Sequence, residues 1–304
     1  MSELLLNELE QPIARFLERH LENTHTWYPH ELVDWDEAKS FTPDNPWTPD
    51  DYPLSEGVGR ALFVNLLTED NLPYYTSTIL AKAPDGHPLN EWTKRWTAEE
   101  ARHSIVIRDW AIATRALDPR MLEDGRMKQM GGGIVPEPET LADMLAYTSF
   151  QEKATQIAHA HTGSKLGKER GGLQVMGKVA GDETLHYNFY KDTVVAGLEI
   201  DPSTMIIAIY KQLREFKMPG TGIPDFEAHS EAIARAEIFN ASIFLGSVVT
   251  PTLDHWKIDK IAETQLNDDA KRARDKIFKT VKLLGRAATI QAESFARETT
   301  AQHI

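Results

Sequence analysis

Trp96-Thr97-Ala98-Glu99-Glu100-Ala101-Arg102-His103 and Asp182-Glu183-Thr184-Leu185-His186 each carry a Glu followed three residues later by a His. On a helix that interval puts both side chains on one face, about one turn apart. Each stretch then offers a carboxylate and an imidazole to the same point in space. A third copy, Glu22-Asn23-Thr24-His25, lies near the end of an amphipathic N-terminal helix with no second carboxylate arranged around it, and is read as coincidence. Spacing alone decides little, so the reading rests on what surrounds the pairs.

Working outward, a helix over about 89–117 carries Trp92, Trp96, Glu100, His103, Ile107 and Trp110 on one stripe, and another over about 173–195 carries Met176, Val179, Glu183, His186 and Tyr190. Ser55 can cap a helix with the stripe Leu62, Leu66, Glu69, kinked just beyond by Pro73. A third long helix over about 139–166 reads Leu141, Leu145, Thr148, Glu152, Thr155, His159, Thr162. Four helices therefore each hold a Glu where the apolar period wants a core residue. A buried charge without a partner is costly. The intervals repeat, 31 residues from Glu69 to Glu100 and 31 from Glu152 to Glu183, as in a duplicated helix pair.

One Glu from each of two helices and a Glu-x-x-His pair from each of two others is the ligand arrangement of di-iron and di-manganese carboxylate bundles. Charge favours it: four carboxylates with two neutral imidazoles balance two divalent ions, whereas without metal they repel and several take up protons. Carboxylate and imidazole donors suit iron or manganese better than soft-ligand metals. Surface glutamates on ordinary helices would explain one of the four, not all four at matched spacing.

The remainder supports an all-α chain, with further helices near 203–216, 226–249 and 268–298 and no sustained strand alternation. Between Trp27 and Pro53 three tryptophans and five prolines predict an extended wrap. Gly131-Gly132-Gly133 reads as a loop without a phosphate-binding context. The expected organisation is one domain over 1–304: wrap 1–54, bundle about 55–198, accessory helices 203–300.

A net charge of -13 argues against nucleic-acid binding, and the absence of cysteine excludes disulfides, iron–sulfur clusters and thiolate chemistry. The N-terminus lacks the basic start and apolar run of a signal peptide, and no stretch approaches the ~20 apolar residues of a membrane span. A cytoplasmic location fits.

The segments Thr68-Glu69-Asp70-Asn71-Leu72-Pro73, Arg95 to His103, Ser149-Phe150-Gln151-Glu152-Lys153-Ala154-Thr155 and Asp182 to His186 resemble the soluble acyl-carrier-protein desaturases, in the mycobacterial-type branch related to the plant stearoyl desaturases. The likeness covers roughly 1–220 in matching order. It implies a ferritin-like four-helix bundle with additional helices, and two iron ions held by Glu69, Glu100, His103, Glu152, Glu183 and His186. It implies O2-dependent removal of two hydrogens from a saturated acyl chain on acyl carrier protein, electrons from a ferredoxin, and a homodimer. Thr155 matches a threonine beside the oxygen-binding face. Asp182 matches a carboxylate that orients His103, a role with its own physical rationale. Trp47 matches the surface end of an electron route through Asp182 to His103. His159 is read as a hydrogen-bonded interior histidine, and Leu66, Ile107, Thr148 and Met176 as candidate walls of an acyl tunnel. Ala101 and Thr184-Leu185 depart from the family pattern, which touches helix packing and partner contacts rather than ligands.

Three alternatives stand beside this reading: another di-iron oxygenase, hydroxylating or N-oxidising a different substrate; a non-catalytic iron-binding bundle; and a metal-free paralogue.

Overall fold

The computed structural model describes residues 2–301. Its helices are α1 (Ser2–Asn23), α2 (Glu56–Asp70), α3 (Leu72–Leu80), α4 (Pro88–Ala113), α5 (Pro119–Gly132), α6 (Leu141–Leu166), α7 (Gly172–Ile200), α8 (Pro202–Glu215), α9 (Phe226–Arg235), α10 (Ala241–Ile243), α11 (Thr250–Trp256) and α12 (Asp268–Ala301). Among the described residues the one β-bridge is an isolated antiparallel pair, Thr42–Asn45, so the chain is all-α as its periodicity predicts. No described helix is long and apolar enough to cross a membrane. Met1 and residues 302–304 of the expected 1–304 unit lie outside the described residues.

Helices α2, α4, α6 and α7 form the bundle, with the most extensive pairing between α6 and α7. Gly163 permits it, because a Cβ there would stand 2.8 Å from Met176 Cβ. Helix α1 lies across α7 and α4, burying Leu5, Leu9 and Ile13. Helix α8 bridges α6 to the long α12.

Two apolar clusters occupy opposite ends of the bundle, and each Glu-bearing seam passes from one to the other. Along α4, Trp92 and Trp96 belong to the first cluster, and Ile107 and Trp110 to the second. Along α7 the order reverses, with Met176 and Val179 in the second cluster and Phe189 and Tyr190 in the first. The polar seam positions therefore fall between the clusters. Burying a large apolar side chain contributes roughly 1.5–3 kcal/mol, so these clusters can hold carboxylates at close range against their repulsion.

Helix α2 ends one residue past Glu69, and Pro73 sits in the first turn of α3, where a missing N–H costs nothing. The stretch expected as one helix over 226–249 is instead broken after α9. The break contains Glu237 at φ 56°, and Asn240 caps α10. From there α10 runs through a π-helical segment, Phe244–Val249, into α11, whose first turn accommodates Pro251. Helix α5, absent from the periodic reading, starts at an Asp118 cap and ends at Gly133, φ 60°.

Candidate metal centre

Glu69, Glu100, His103, Glu152, Glu183 and His186 converge at mid-bundle with relative exposures of 0–6%, which removes them from the class of surface glutamates. His103 Nδ1 lies 3.1 Å from Glu100, 3.7 Å from Glu69 and 3.6 Å from Glu183. His186 Nδ1 lies 2.8 Å from Glu100 Oε1, off the line of a hydrogen bond, and 3.6 Å from Glu152. The side chains form two interlocking donor sets: Glu69, Glu100, His103, Glu183 and Glu100, Glu152, Glu183, His186. Within each, the donor atoms all lie within 4.8 Å of one another. Glu100 and Glu183 belong to both.

The donor set fits a pair of cations. Glu100 Oε1, Glu152 Oε2 and His186 Nδ1 are buried without a hydrogen-bond partner, a state that costs about 1–3 kcal/mol per group unless something else satisfies them. Burial, reinforced by the charges of Glu100, Glu152 and Glu69, holds the Glu183 carboxyl well above its ordinary range. Burial also raises Glu152, against the pull of His186. Burial would raise Glu100 too, yet His103 and His186 hold it well below. The two imidazoles are correspondingly pushed up, against burial, by Glu100 and its neighbours. Protons thus carry the positive charge that two divalent cations can supply.

Every donor except Glu100, whose hydrogen bond is to His103 within the set, is oriented from outside. Trp96 Nε1 donates to Glu152 (3.1 Å), Thr155 Oγ1 to Glu183 Oε2 (2.7 Å), and His159 Nε2 stands 3.0 Å from Glu69. Asp182 Oδ2 lies 3.3 Å from His103 Nε2, and the same carboxylate accepts from Arg102 Nη2 (3.0 Å) and Trp27 Nε1 (3.1 Å). His103 and Arg102 hold Asp182 below the usual carboxylate range although burial opposes them.

Trp47 does not occupy the place expected of it. Its indole donates to the Arg115 carbonyl at 2.9 Å, and the indole on Asp182 is that of Trp27. Sequence reasoning also missed Glu99, which is 2% exposed. Its Oε2 lies 3.0 Å from His186 Nε2 and 2.9 Å from His20 Nε2, while Oε1 accepts from Arg95 at 2.7 Å. The signal was available, because Glu99 precedes Glu100 as Asp182 precedes Glu183.

Glu69, Thr155 and His159 line one wall of a mostly apolar cleft completed by Val64, Ala158, Met218, Phe226, Ile233 and Phe239. Leu66, Ile107, Thr148 and Met176 do not line it. Leu66, Ile107 and Met176 belong to the second apolar cluster, and Thr148 turns its hydroxyl back to the Met144 carbonyl. The accidental pair Glu22 and His25 is exposed.

A buried carboxylate–imidazole cluster with one Glu from each of two helices and a Glu-x-x-His pair from each of two others is the donor arrangement of the di-metal carboxylate class of four-helix bundles. The sequence profile of the fatty acid desaturase family matches residues 2–304, and the chain belongs to that family, among the acyl-[acyl-carrier-protein] desaturases. It is 34% identical over 288 residues to DesA1 of Mycobacterium tuberculosis, which bears the name acyl-[acyl-carrier-protein] desaturase; the match covers 91% of this chain and 84% of DesA1. It is 28% identical over 242 residues to the chloroplastic stearoyl-[acyl-carrier-protein] 9-desaturase 1 of Arabidopsis thaliana, covering 73% of this chain and 60% of that one. The crystal structure of DesA2 from M. tuberculosis shares the fold, with a TM-score of 0.71 at 23% identity over 88% of this chain and 98% of DesA2.

Proposed function

We propose that this chain introduces a double bond into a saturated acyl chain carried on acyl carrier protein, consuming O2, two electrons and two protons and yielding two waters. The observation that carries the reading is the pair of interlocking donor sets sharing Glu100 and Glu183 beside an apolar cleft. Glu69, Glu100, His103 and Glu183 would hold one iron, and Glu100, Glu152, Glu183 and His186 the other. When bound, the two irons supply O2 activation and the oxidising power for removing hydrogen from an unactivated carbon.

The protein's own contribution is positioning. The apolar lining of the cleft suits an acyl chain approaching the Glu69 side of the centre. Thr155 steadies Glu183 and presents its hydroxyl where cleft and carboxylates meet. Asp182 keeps Nε2 of His103 as the donor nitrogen, which leaves Nδ1 free for metal. Trp27, not Trp47, supplies the indole through which electrons from a ferredoxin-type donor reach Asp182 and His103. We read residues 1–304 as one cytoplasmic desaturase unit. A second copy can cover the exposed Leu283 and Ile290 of α12 in a homodimer.

Iron-loaded protein, supplied with a reductant, O2 and acyl carrier protein bearing saturated chains of several lengths, is expected to return acyl products two hydrogens lighter. Products carrying an added oxygen instead would favour hydroxylation, and no product with any chain would sink the desaturase reading.

A further inference from the structure

Glu99 is held on both oxygens. Arg95 Nε takes Oε1 at 2.7 Å, while His20 Nε2 and His186 Nε2 meet Oε2 at 2.9 and 3.0 Å. His20 belongs to α1, 79 residues away in sequence, and is 4% exposed. Its ring stands edge-on to Trp92, with 4.8 Å between centroids, and 5.9 Å from the ring of His186. On its outer side lies a polar surface pocket formed with Phe16, Arg19, Asn23, Asn188 and Asp192. The imidazole therefore stands between that pocket and the buried carboxylate.

A carboxylate held through one oxygen can still swing, and the imidazole bonded to it turns with it. Arg95 alone is a weak anchor, because its side chain is 38% exposed and water competes for the guanidinium. His20 adds a buried anchor on the other oxygen, the one that faces His186.

We propose that His20 is a positioning residue of the metal centre: by fixing Glu99 Oε2 it sets the ring plane of His186 and aims Nδ1 at the point bounded by Glu100, Glu152 and Glu183. The proposal rests on the metal-centre reading above. It assigns α1 a part in the centre that no ligand motif would reveal, since His20 stands outside both four-residue donor sets and groups instead with Glu99 and His186, whose donor atoms lie within 4.8 Å of its own.

The test compares wild type with His20→Gln, His20→Asn and His20→Leu, each prepared metal-free, checked for helical content and thermal stability, and titrated with Co2+ while bound metal and visible absorption are followed. Two equivalents bound by wild type support the centre itself, and none would bring down both that reading and this one. The expected result is that His20→Asn and His20→Leu bind the second equivalent about 10–100-fold more weakly, with an altered absorption band. His20→Gln, whose amide nitrogen reaches the position of Nε2, should keep both equivalents and the wild-type band. The Gln and Asn variants carry the same functional group at different reach, so their contrast decides the matter even if the Leu variant does not fold. Equal affinity and identical spectra across folded variants would overturn the proposal. So would a third wild-type equivalent lost with His20, which would make His20, Glu99 and His186 a metal site in their own right.

Discussion

On the His103 side of the centre the outer carboxylate is Asp182, closed over by Trp27 and Arg102. On the His186 side it is Glu99, closed over by His20 and Arg95. In both, the carboxylate directly precedes a candidate ligand Glu and serves the imidazole of the opposite helix: Asp182 on α7 steadies His103 on α4, and Glu99 on α4 steadies His186 on α7. The two helix pairs thus repeat their support as well as their candidate ligands, and the supports interlock the pairs. The halves differ in the group α1 and the segment after it bring to each carboxylate. An indole can pass an electron, whereas a buried imidazole on a carboxylate can only hold it in place or exchange a proton with it. One scaffold has therefore been finished in two ways.

The largest effect should come from the shared carboxylates. Glu100→Ala or Glu183→Ala should abolish binding of both cations, whereas Glu69→Ala or Glu152→Ala should leave about one per chain; metal content measured on purified protein checks this. Equal losses from all four would break the two-set description.

Asp182→Asn and Glu99→Gln should each weaken metal binding or turnover about 10–100-fold, but the two sides should part when electrons are supplied differently. Trp27→Phe should slow reduction by a protein donor while leaving reduction by a small chemical reductant near wild type, as followed by stopped-flow absorbance. A Trp27 variant reduced at the wild-type rate by the protein donor would remove the functional asymmetry.

Metal uptake should strengthen as pH rises. Burial and the neighbouring carboxylates hold Glu183 above its ordinary range, and Glu100 and its neighbours push His103 and His186 up, so each holds a proton to higher pH in the metal-free chain than it would free in water, and metal competes with those protons. Without metal the sign for stability is the same for these three raised groups and opposite for Glu100, which is held low and loses its contribution as pH falls. A folded-state value above the unfolded one stabilises at low pH, and that contribution is lost as pH climbs through the folded value. Calorimetric titrations in buffers of different ionisation enthalpy count the released protons.

The smallest effect belongs to Trp47→Phe, which gives up one hydrogen bond to Arg115, about 1 kcal/mol in a chemical melt, with no change in reduction rate.

What was legible in the sequence was whatever helical periodicity encodes. The four Glu residues stand out because each interrupts an apolar stripe, and a stripe is a local pattern. Glu99 was hidden because its neighbour Glu100 already explained the local acidity, and its partner His186 is brought to it only by the crossing of α4 and α7. The exchange of Trp27 for Trp47 has a similar cause. Both lie in a Pro-rich segment with no period, so nothing local fixes which of them meets the bundle. That register is set by distant contacts, among them Arg115, whose guanidinium takes Asp51 and the carbonyls of Ser40 and Pro46. The break at 236–240 escaped notice because Glu237 in a left-handed conformation carries no residue signature.

Trp27 and Asp182 are 155 residues apart, and His20 and Glu99 are 79 apart. During synthesis the first helix leaves the ribosome long before α7 exists, and its leucine stripe is only partly covered by α4 until α7 is in place. Contacts of such separation close late, so the N-terminal segment acts as the last panel fitted over a chamber already built. A tag or fusion crowding that segment would then disturb the candidate metal centre from a distance, leaving the six-residue donor set intact in sequence but without its lining.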